Sequence, residues 1–185
     1  MPLLAVAAAI ALLLIVTSSG YGYHRDELYF IQLGEHPAAG YVDQPPLVPL
    51  LARVLHDLGG GSLLVLRLPS ALAAAGIALV TGLIARELGA GRGGQVLAAA
   101  AMGGSAITLV VGHLMSTSTF DLLWWTLLGW LVVRALRDGG AAWWGVGLVT
   151  GLALQTKSLV LLLVASVLSA LLAVGPRRIL ASRAL

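Results

Sequence analysis

The sequence lacks cysteine altogether and contains few charged residues. The absence of cysteine excludes disulfide bonds and thiolate metal sites. Charged residues make up 10% of the 185 residues, whereas soluble domains carry about 25%. The hydrophobic fraction is 59%, the mean hydropathy is +0.96 and the net charge is only +3. This composition predicts an integral membrane protein, and the small, scattered charge does not indicate a nucleic-acid partner.

Long apolar segments predict an all-α fold of about six transmembrane helices in a single module, residues 1–185. They cover residues 2–17, 63–84, 96–111, 120–133 and two parts of 141–174. The first is a retained helix or a cleaved signal peptide, although it has neither a basic n-region nor a clean small-x-small site. The last region is one very long helix or two short ones, because Gln155-Thr156-Lys157-Ser158 interrupts it. Gly147 and Gly151 form a small-xxx-small face that favours close helix packing.

The distribution of basic residues favours six spans with both termini in the cytoplasm. In that topology the inner face receives seven arginines: Arg86, Arg92, Arg134, Arg137, Arg177, Arg178 and Arg183. The outer face receives four basic residues: Arg25, Arg53, Arg67 and Lys157. Merging the last two spans would place the three arginines of the tail outside. The sequence therefore predicts a multi-pass protein of the cell membrane, with six of its eight acidic residues on the extracytoplasmic side.

The first outer loop, residues 20–61, is the longest segment that water must reach. Helical spacing of apolar residues predicts a short interfacial helix over residues 26–35. Pro45-Pro46 opens a second amphipathic helix, which Gly59-Gly60-Gly61 ends. The apolar positions of this second helix are Leu47, Leu50, Leu51, Val54 and Leu58. Because charged groups in a membrane protein are costly, the acids clustered in this loop mark it as the candidate functional site.

Asp26 and Glu27 stand side by side in this loop. Neighbours on a helix diverge by about 100°, so only one of the two points into a given site. In a functional interpretation, Asp26 is a general base for an acceptor hydroxyl and Glu27 supports it. In the alternative, both are solvated acids that the helix dipole stabilises near a helix start.

Asp43 and Asp121 are each predicted at the outer start of a helix. Asp43 precedes Pro45-Pro46 and is a candidate cap of the second interfacial helix, and Asp121 follows Ser118 with the spacing of a capping box. Alternatively, the two carboxylates share a divalent cation with a phosphate oxygen. Such oxygen ligands suit Mg²⁺ or Mn²⁺, and Zn²⁺ is a further candidate.

Lys157 is the only lysine, and it interrupts an apolar run. It either snorkels at a tight turn or contacts an anionic headgroup or phosphate. His113, at the end of the predicted third span, is a ligand, a hydrogen-bond donor or an interfacial residue.

Taken together, these residues resemble the N-terminal half of the GT-C glycosyltransferases. The resemblance is to glycosyltransferase family 39, which includes protein O-mannosyltransferases and the aminoarabinose transferase of lipid A. It covers nearly the whole chain, and its most specific parts are Arg25-Asp26-Glu27-Leu28-Tyr29 and Gly40-Tyr41-Val42-Asp43-Gln44-Pro45-Pro46-Leu47. The stretches from His113 to Asp121 and from Gln155 to Lys157 add support.

The resemblance implies transfer of a sugar from a polyprenyl-phosphate donor to an acceptor outside the cytoplasm. Asp26 matches the catalytic base with Glu27 beside it, and Asp43 and Asp121 match positions that hold a metal in the lipid A transferase. The substrate-binding candidates are Lys157, Arg25, Gln44 and His113. Gln44 replaces the lysine of the lipid A transferase, so the identity of that enzyme's donor does not carry over. Family members have further spans, so the resemblance also implies a missing C-terminal half as a partner.

Three functions from different classes follow from these observations. The first is a membrane glycosyltransferase that acts on a glycan, lipid or protein acceptor. The second is a non-catalytic membrane module that binds polyprenyl lipid or assembles with a partner subunit. The third is a small transporter, but internal repeats and charges near the bilayer midplane, which favour alternating access, are not evident.

Overall fold

The structure is a computed structural model that describes residues 2–138 and 141–175. Over these residues the chain is helical, with no strand. The helices are α1 (Pro2–Thr17), α2 (Arg25–Gly34), α3 (Leu47–Leu58), α4 (Leu63–Glu87), α5 (Arg92–Gly103), α6 (Ala106–Gly112), α7 (Thr117–Asp138), α8 (Ala141–Leu154) and α9 (Val160–Val174). The predicted inner arginines Arg177, Arg178 and Arg183 lie outside the described residues.

Helix α4 is the centre of the bundle and packs against α1, α5 and α7. Small side chains let its neighbours approach closely, and Ala74 and Ala78 are fully buried. The neighbouring helices contribute glycines at the same contacts. A Cβ atom on Gly112 would lie 2.7 Å from Leu14 Cδ1 of α1 and 2.8 Å from Ala74 Cβ of α4. The alanine-rich sequence of α4 therefore produces a tightly packed core between three helices.

Membrane-spanning length is reached by two helices among the described residues, α4 and α7. The pair α5–α6 adds a third candidate span if it is counted as one bent unit. Helices α1, α8 and α9 are apolar but shorter. The all-α membrane architecture is thus confirmed, whereas the count of six spans stays a prediction.

The predicted third span, residues 96–111, is not a single helix. It breaks between α5 and α6, which meet at an angle of 58°. Gly103 and Gly104 stand at the break, and the hydroxyl of Ser105 then accepts a hydrogen bond from the Thr108 amide (3.4 Å) and caps α6. Glycine weakens a helix while serine starts a new one, so this tripeptide interrupts a segment that hydropathy alone treats as continuous.

The apolar region 141–174 forms two short helices, α8 and α9, rather than one long helix. The turn between them contains Gln155, Thr156 and Lys157, as the interruption in the sequence indicated. A Cβ atom on Gly147 or Gly151 would meet nothing within 4 Å. The close packing predicted for this glycine face is therefore not made by the described helices.

Both helices predicted in the first loop are present, as α2 and α3. They cross closely at Gly34, where a Cβ atom would lie 2.5 Å from both Pro49 O and Arg53 Cβ. Helix α3 buries Val48, Pro49 and Ala52, whereas the predicted apolar positions Leu47, Val54 and Leu58 are exposed. Leu51, in contrast, packs against the buried core, so the predicted apolar face is only partly packed within the protein.

Candidate functional site

Asp26 and Asp43 line one cavity at the end of the bundle that carries α2 and α3. The cavity has a volume of about 360 Å³. Its other walls come from Tyr29 and Phe30 of α2, from Gln44, and from the α6–α7 region through Val111, Leu114, Ser116, Thr117 and Ser118. The side chain of Asp26 is 45% exposed, so its carboxylate is open to water and to a substrate. Two predicted site residues that are 17 positions apart are thus brought together.

The first turn of α2 directs Asp26 and Glu27 to different surroundings. His24 caps the helix, and its Nδ1 atom accepts a hydrogen bond from the Asp26 amide (3.2 Å). The His24 amide in turn donates to Glu27 Oε2 (2.8 Å). Because adjacent residues on a helix diverge, Glu27 enters the bundle while Asp26 lines the cavity.

Glu27 forms a fully buried ion pair with Arg67 of α4. Arg67 Nε donates to Glu27 Oε1 (2.8 Å), and Arg67 Nη2 donates to Glu27 Oε2 (2.7 Å). The exposed fractions of the two side chains are 0% and 1%. The Met115 amide also donates to Glu27 Oε1 (3.1 Å). Burial alone raises the pKa of Glu27, but the hydrogen bonds from Arg67, His24 and Met115 outweigh it and hold this pKa below its ordinary value.

Arg67 also organises the chain between α1 and α2. It donates to the carbonyl oxygens of Ser18 and Gly22, the latter at 2.8 Å. The sequence pattern assigned Arg67 to the outer face but did not predict its role in the site. A signal was present, since an arginine four residues inside an apolar helix requires a buried partner.

Asp43 is held by Tyr29 rather than by the start of α3. The Tyr29 hydroxyl lies 2.7 and 2.8 Å from the two carboxylate oxygens of Asp43. Helix α3 begins after Pro46 without a side-chain cap, so the predicted capping role of Asp43 is wrong. The hydrogen bond to Asp43 raises the pKa of Tyr29. Tyr29 was not predicted as a site residue, although it lies three positions after Asp26 and thus on the same face of the helix.

Asp121 lies inside α7 and is not part of a capping box. Helix α7 begins at Thr117, so Ser118 is already a helical residue. The Asp121 carboxylate accepts a hydrogen bond from Trp125 Nε1 (3.1 Å) and interacts electrostatically with Lys157. The Leu47 amide donates to the Gln155 carbonyl (3.1 Å), which joins the start of α3 to the turn that carries Lys157. Asp43 and Asp121 thus belong to neighbouring segments at one end of the bundle.

Of the remaining predicted binding residues, Gln44 lines the cavity, whereas Arg25 and His113 do not. Arg25 is 90% exposed and its Nε atom lies 3.3 Å from Asp26 Oδ1. The Gln44 carbonyl accepts from the Tyr41 amide (2.8 Å), which shapes the turn before the prolines. His113 Nε2 lies 2.6 Å from the Thr17 hydroxyl, and its Nδ1 donates to the Leu109 carbonyl (2.8 Å). His113 therefore ties α6 to α1, and it is not among the residues that line the cavity.

The predicted metal ligands provide two carboxylates, Asp43 and Asp121. Within residues 2–138 and 141–175, no group of three or more histidine, aspartate or glutamate residues is placed to hold a metal ion. Any cation here would therefore need further oxygen ligands, and phosphate oxygens of a substrate have the right chemistry.

Comparison with known proteins gives one family. The profile of the dolichyl-phosphate-mannose-protein mannosyltransferase family matches residues 43–185. No curated protein and no solved structure matches the chain. The matched region includes Asp43, Asp121 and Lys157, while Asp26 precedes it. It covers more than half of the chain, and it agrees with the all-α membrane architecture. The chain belongs to the dolichyl-phosphate-mannose-protein mannosyltransferase family, a family of membrane glycosyltransferases of the GT-C type.

Proposed function

We propose that this protein transfers a sugar from a polyprenyl-phosphate donor to an acceptor hydroxyl, with Asp26 as the general base. The observation that carries the proposal is the position of Asp26, whose half-exposed carboxylate lines a cavity together with Asp43. Its neighbour Glu27 is fully buried and engaged by Arg67, so it supports the site without reaching a substrate. A glycan, a lipid or a protein can supply the acceptor hydroxyl.

In the proposed reaction the acceptor oxygen attacks the anomeric carbon as its proton passes to Asp26. The bond between the anomeric carbon and the phosphate oxygen breaks, and its electrons remain on the leaving phosphate. Attack from the face opposite the phosphate inverts the anomeric configuration. A neutral hydroxyl is a poor nucleophile, and a positioned base contributes about 10²–10⁴ in rate.

The leaving phosphate develops negative charge, which the other polar residues are suited to accommodate. Lys157 lies in the turn that contacts the start of α3, where its ammonium group is a candidate partner for phosphate. Asp43 and Asp121 are the proposed ligands of a divalent cation, Mg²⁺, Mn²⁺ or Zn²⁺, since two carboxylates and phosphate oxygens are typical magnesium ligands. When bound, such a cation supplies charge stabilisation for the phosphate.

An apolar crevice beside this region suits the lipid part of the donor. It lies between α3, α4 and α7 and has a volume of about 430 Å³. Leu47, Leu51, Leu72 and Trp124 are among its lining residues. A polyprenyl chain in the crevice would place its phosphate near the start of α3. The bias of arginines toward the other side supports a multi-pass arrangement with this site on the extracytoplasmic face.

The test is to compare Asp26→Asn with the wild-type protein in turnover of polyprenyl-phosphate sugars. Asn keeps the shape of the side chain and removes the base, so turnover should fall about 10²–10⁴-fold while donor binding changes little. Asp57→Asn is the matched control, because Asp57 is an exposed acid that pairs with Arg53 away from the cavity. Lys157→Ala should weaken donor binding instead.

Two results would contradict the proposed mechanism. One is an Asp26→Asn variant that retains most of its turnover, and the other is a product with the anomeric configuration of the donor. Binding of the lipid by the wild-type protein without any turnover would favour the non-catalytic lipid-binding module instead.

A further inference from the structure

One buried ion pair connects several of the segments around the candidate site. Arg67 of α4 contacts the end of α1 through Ser18 O and the approach to α2 through Gly22 O. Its partner Glu27 belongs to the first turn of α2 and accepts from the Met115 amide in the α6–α7 link. A single pair of side chains thus joins α1, α2, α4 and the α6–α7 link.

We propose that Arg67 and Glu27 are positioning residues that hold two walls of the Asp26 cavity, α2 and the α6–α7 link, in register. This inference rests on the proposed function, because it assigns the pair to the placement of the proposed base. One wall is α2, which carries Asp26 immediately before Glu27. The other wall is the α6–α7 link, which carries Ser116 immediately after Met115.

The geometry of Glu27 Oε1 supports this role. That single oxygen accepts from Arg67 Nε at 2.8 Å and from the Met115 amide at 3.1 Å. Glu27 belongs to α2, and its carboxylate is hydrogen-bonded to the α6–α7 link through Met115. A change in the position of this carboxylate would therefore change the distance between the two walls. The bidentate contact with Arg67 fixes the carboxylate in orientation as well as in distance.

Stability alone is a poor explanation for this pair. Removing two charges from water is expensive, and a neutral replacement of a buried ion pair is often no less stable. Removing one partner is different, because the other is left as an uncompensated buried charge. A neutral replacement would lose the fixed orientation that the Glu27–Arg67 pair gives to the first turn of α2. Catalysis is sensitive to this orientation, since a misplacement of a catalytic group by about 1 Å can lower turnover about 10²-fold.

The experiment compares three variants of the full chain. Arg67→Met leaves the Glu27 carboxylate buried without its partner, whereas Glu27→Gln/Arg67→Met removes both charges. Glu35→Gln/Arg53→Met is the matched control, since Glu35 and Arg53 form a 2.9 Å pair that also links the α2 region to α3 but remains partly exposed. We expect the unfolding midpoint of the double variant to lie above that of Arg67→Met. Its turnover should nevertheless be at least about 10²-fold below wild type with donor KM little changed, and the control should keep wild-type turnover.

A second measurement needs no enzymatic activity. The chain has no cysteine, so Asp26→Cys and Ser116→Cys give a unique pair on these two walls of the cavity. A short bismaleimide should cross-link this pair efficiently in the otherwise wild-type chain and in the Glu35→Gln/Arg53→Met control. It should cross-link the pair poorly in Glu27→Gln/Arg67→Met.

Each failure has a distinct meaning. Wild-type turnover in the double variant, or unchanged cross-linking, overturns the positioning role. A double variant that is no more stable than Arg67→Met also overturns it, because the pair would then act through folding. Absence of turnover in the wild-type protein contradicts the proposed function, while cross-linking still tests the positions of the walls.

Discussion

Replacing Gly112 by alanine should destabilise the protein through a direct clash between three helices. The added Cβ would lie 2.7 Å from Leu14 Cδ1 and 2.8 Å from Ala74 Cβ, whereas carbon atoms in contact prefer 3.5–4.0 Å. The overlap is about 1 Å on two sides, and forced overpacking of this kind costs about 1–3 kcal/mol. The gain in helix propensity offsets at most about 1 kcal/mol of that cost.

From the middle of that range, about 2 kcal/mol, the full offset leaves a net loss of about 1 kcal/mol, which corresponds to a fall of about 2–4 °C in the unfolding midpoint of a chain of this length. Thermal unfolding in detergent, followed by circular dichroism, measures it. Gly147→Ala is the matched control, because its Cβ would enter open space and the midpoint should stay unchanged or rise. A Gly112→Ala variant as stable as wild type, or a Gly147→Ala variant that is equally destabilised, would refute this account of the packing.

Three further predictions concern ionisation and topology. The folded-state pKa of Glu27 lies below its ordinary value of 4.5. The stability that ionised Glu27 contributes should therefore be complete above pH 4.5 and be lost as the pH falls through the folded-state pKa. Glu27→Gln should abolish this part of the acid transition, which thermal unfolding at a series of pH values measures. Asp43→Asn should lower the pKa of Tyr29 toward the ordinary 10.0, which ultraviolet titration of the phenol measures against Tyr29→Phe, and an unchanged titration would contradict the hydrogen bond. Cysteines at Ala38 and Asp138 should differ in labelling by an impermeant thiol reagent, and labelling of both from outside would exclude the proposed topology.

Local sequence patterns predicted most of the helices. The bounds of α1 agree with the predicted apolar segment, and the turn at Gln155–Lys157 divides the last region as the sequence indicated. The proline pair and the glycine triplet also delimited α3 correctly. These features are set by propensity and by breaks in hydropathy within a few residues, so a single sequence contains them.

Contacts between distant segments could not be predicted in the same way. Glu27 and Arg67 are 40 positions apart, and only the folded bundle brings them within 2.7 Å. The contact between Arg67 and Glu27 was therefore missed, because the two residues are not adjacent in sequence. The contact between Tyr29 and Asp43 was missed for a related reason, since the turn at residues 41–44 decides which side chain Asp43 meets.

The two short helices at the end of the described chain have a consequence for the surrounding bilayer. Helices α8 and α9 contain 14 and 15 residues, which corresponds to about 21 and 22 Å of axial length. The hydrocarbon layer of a typical membrane is about 30 Å thick. In the predicted six-span topology both helices cross this layer, and lipids around them would have to shorten to remove the hydrophobic mismatch. Such local thinning would bring lipid headgroups closer to Lys157 in the connecting turn, and it would favour residence of the protein in thinner membranes.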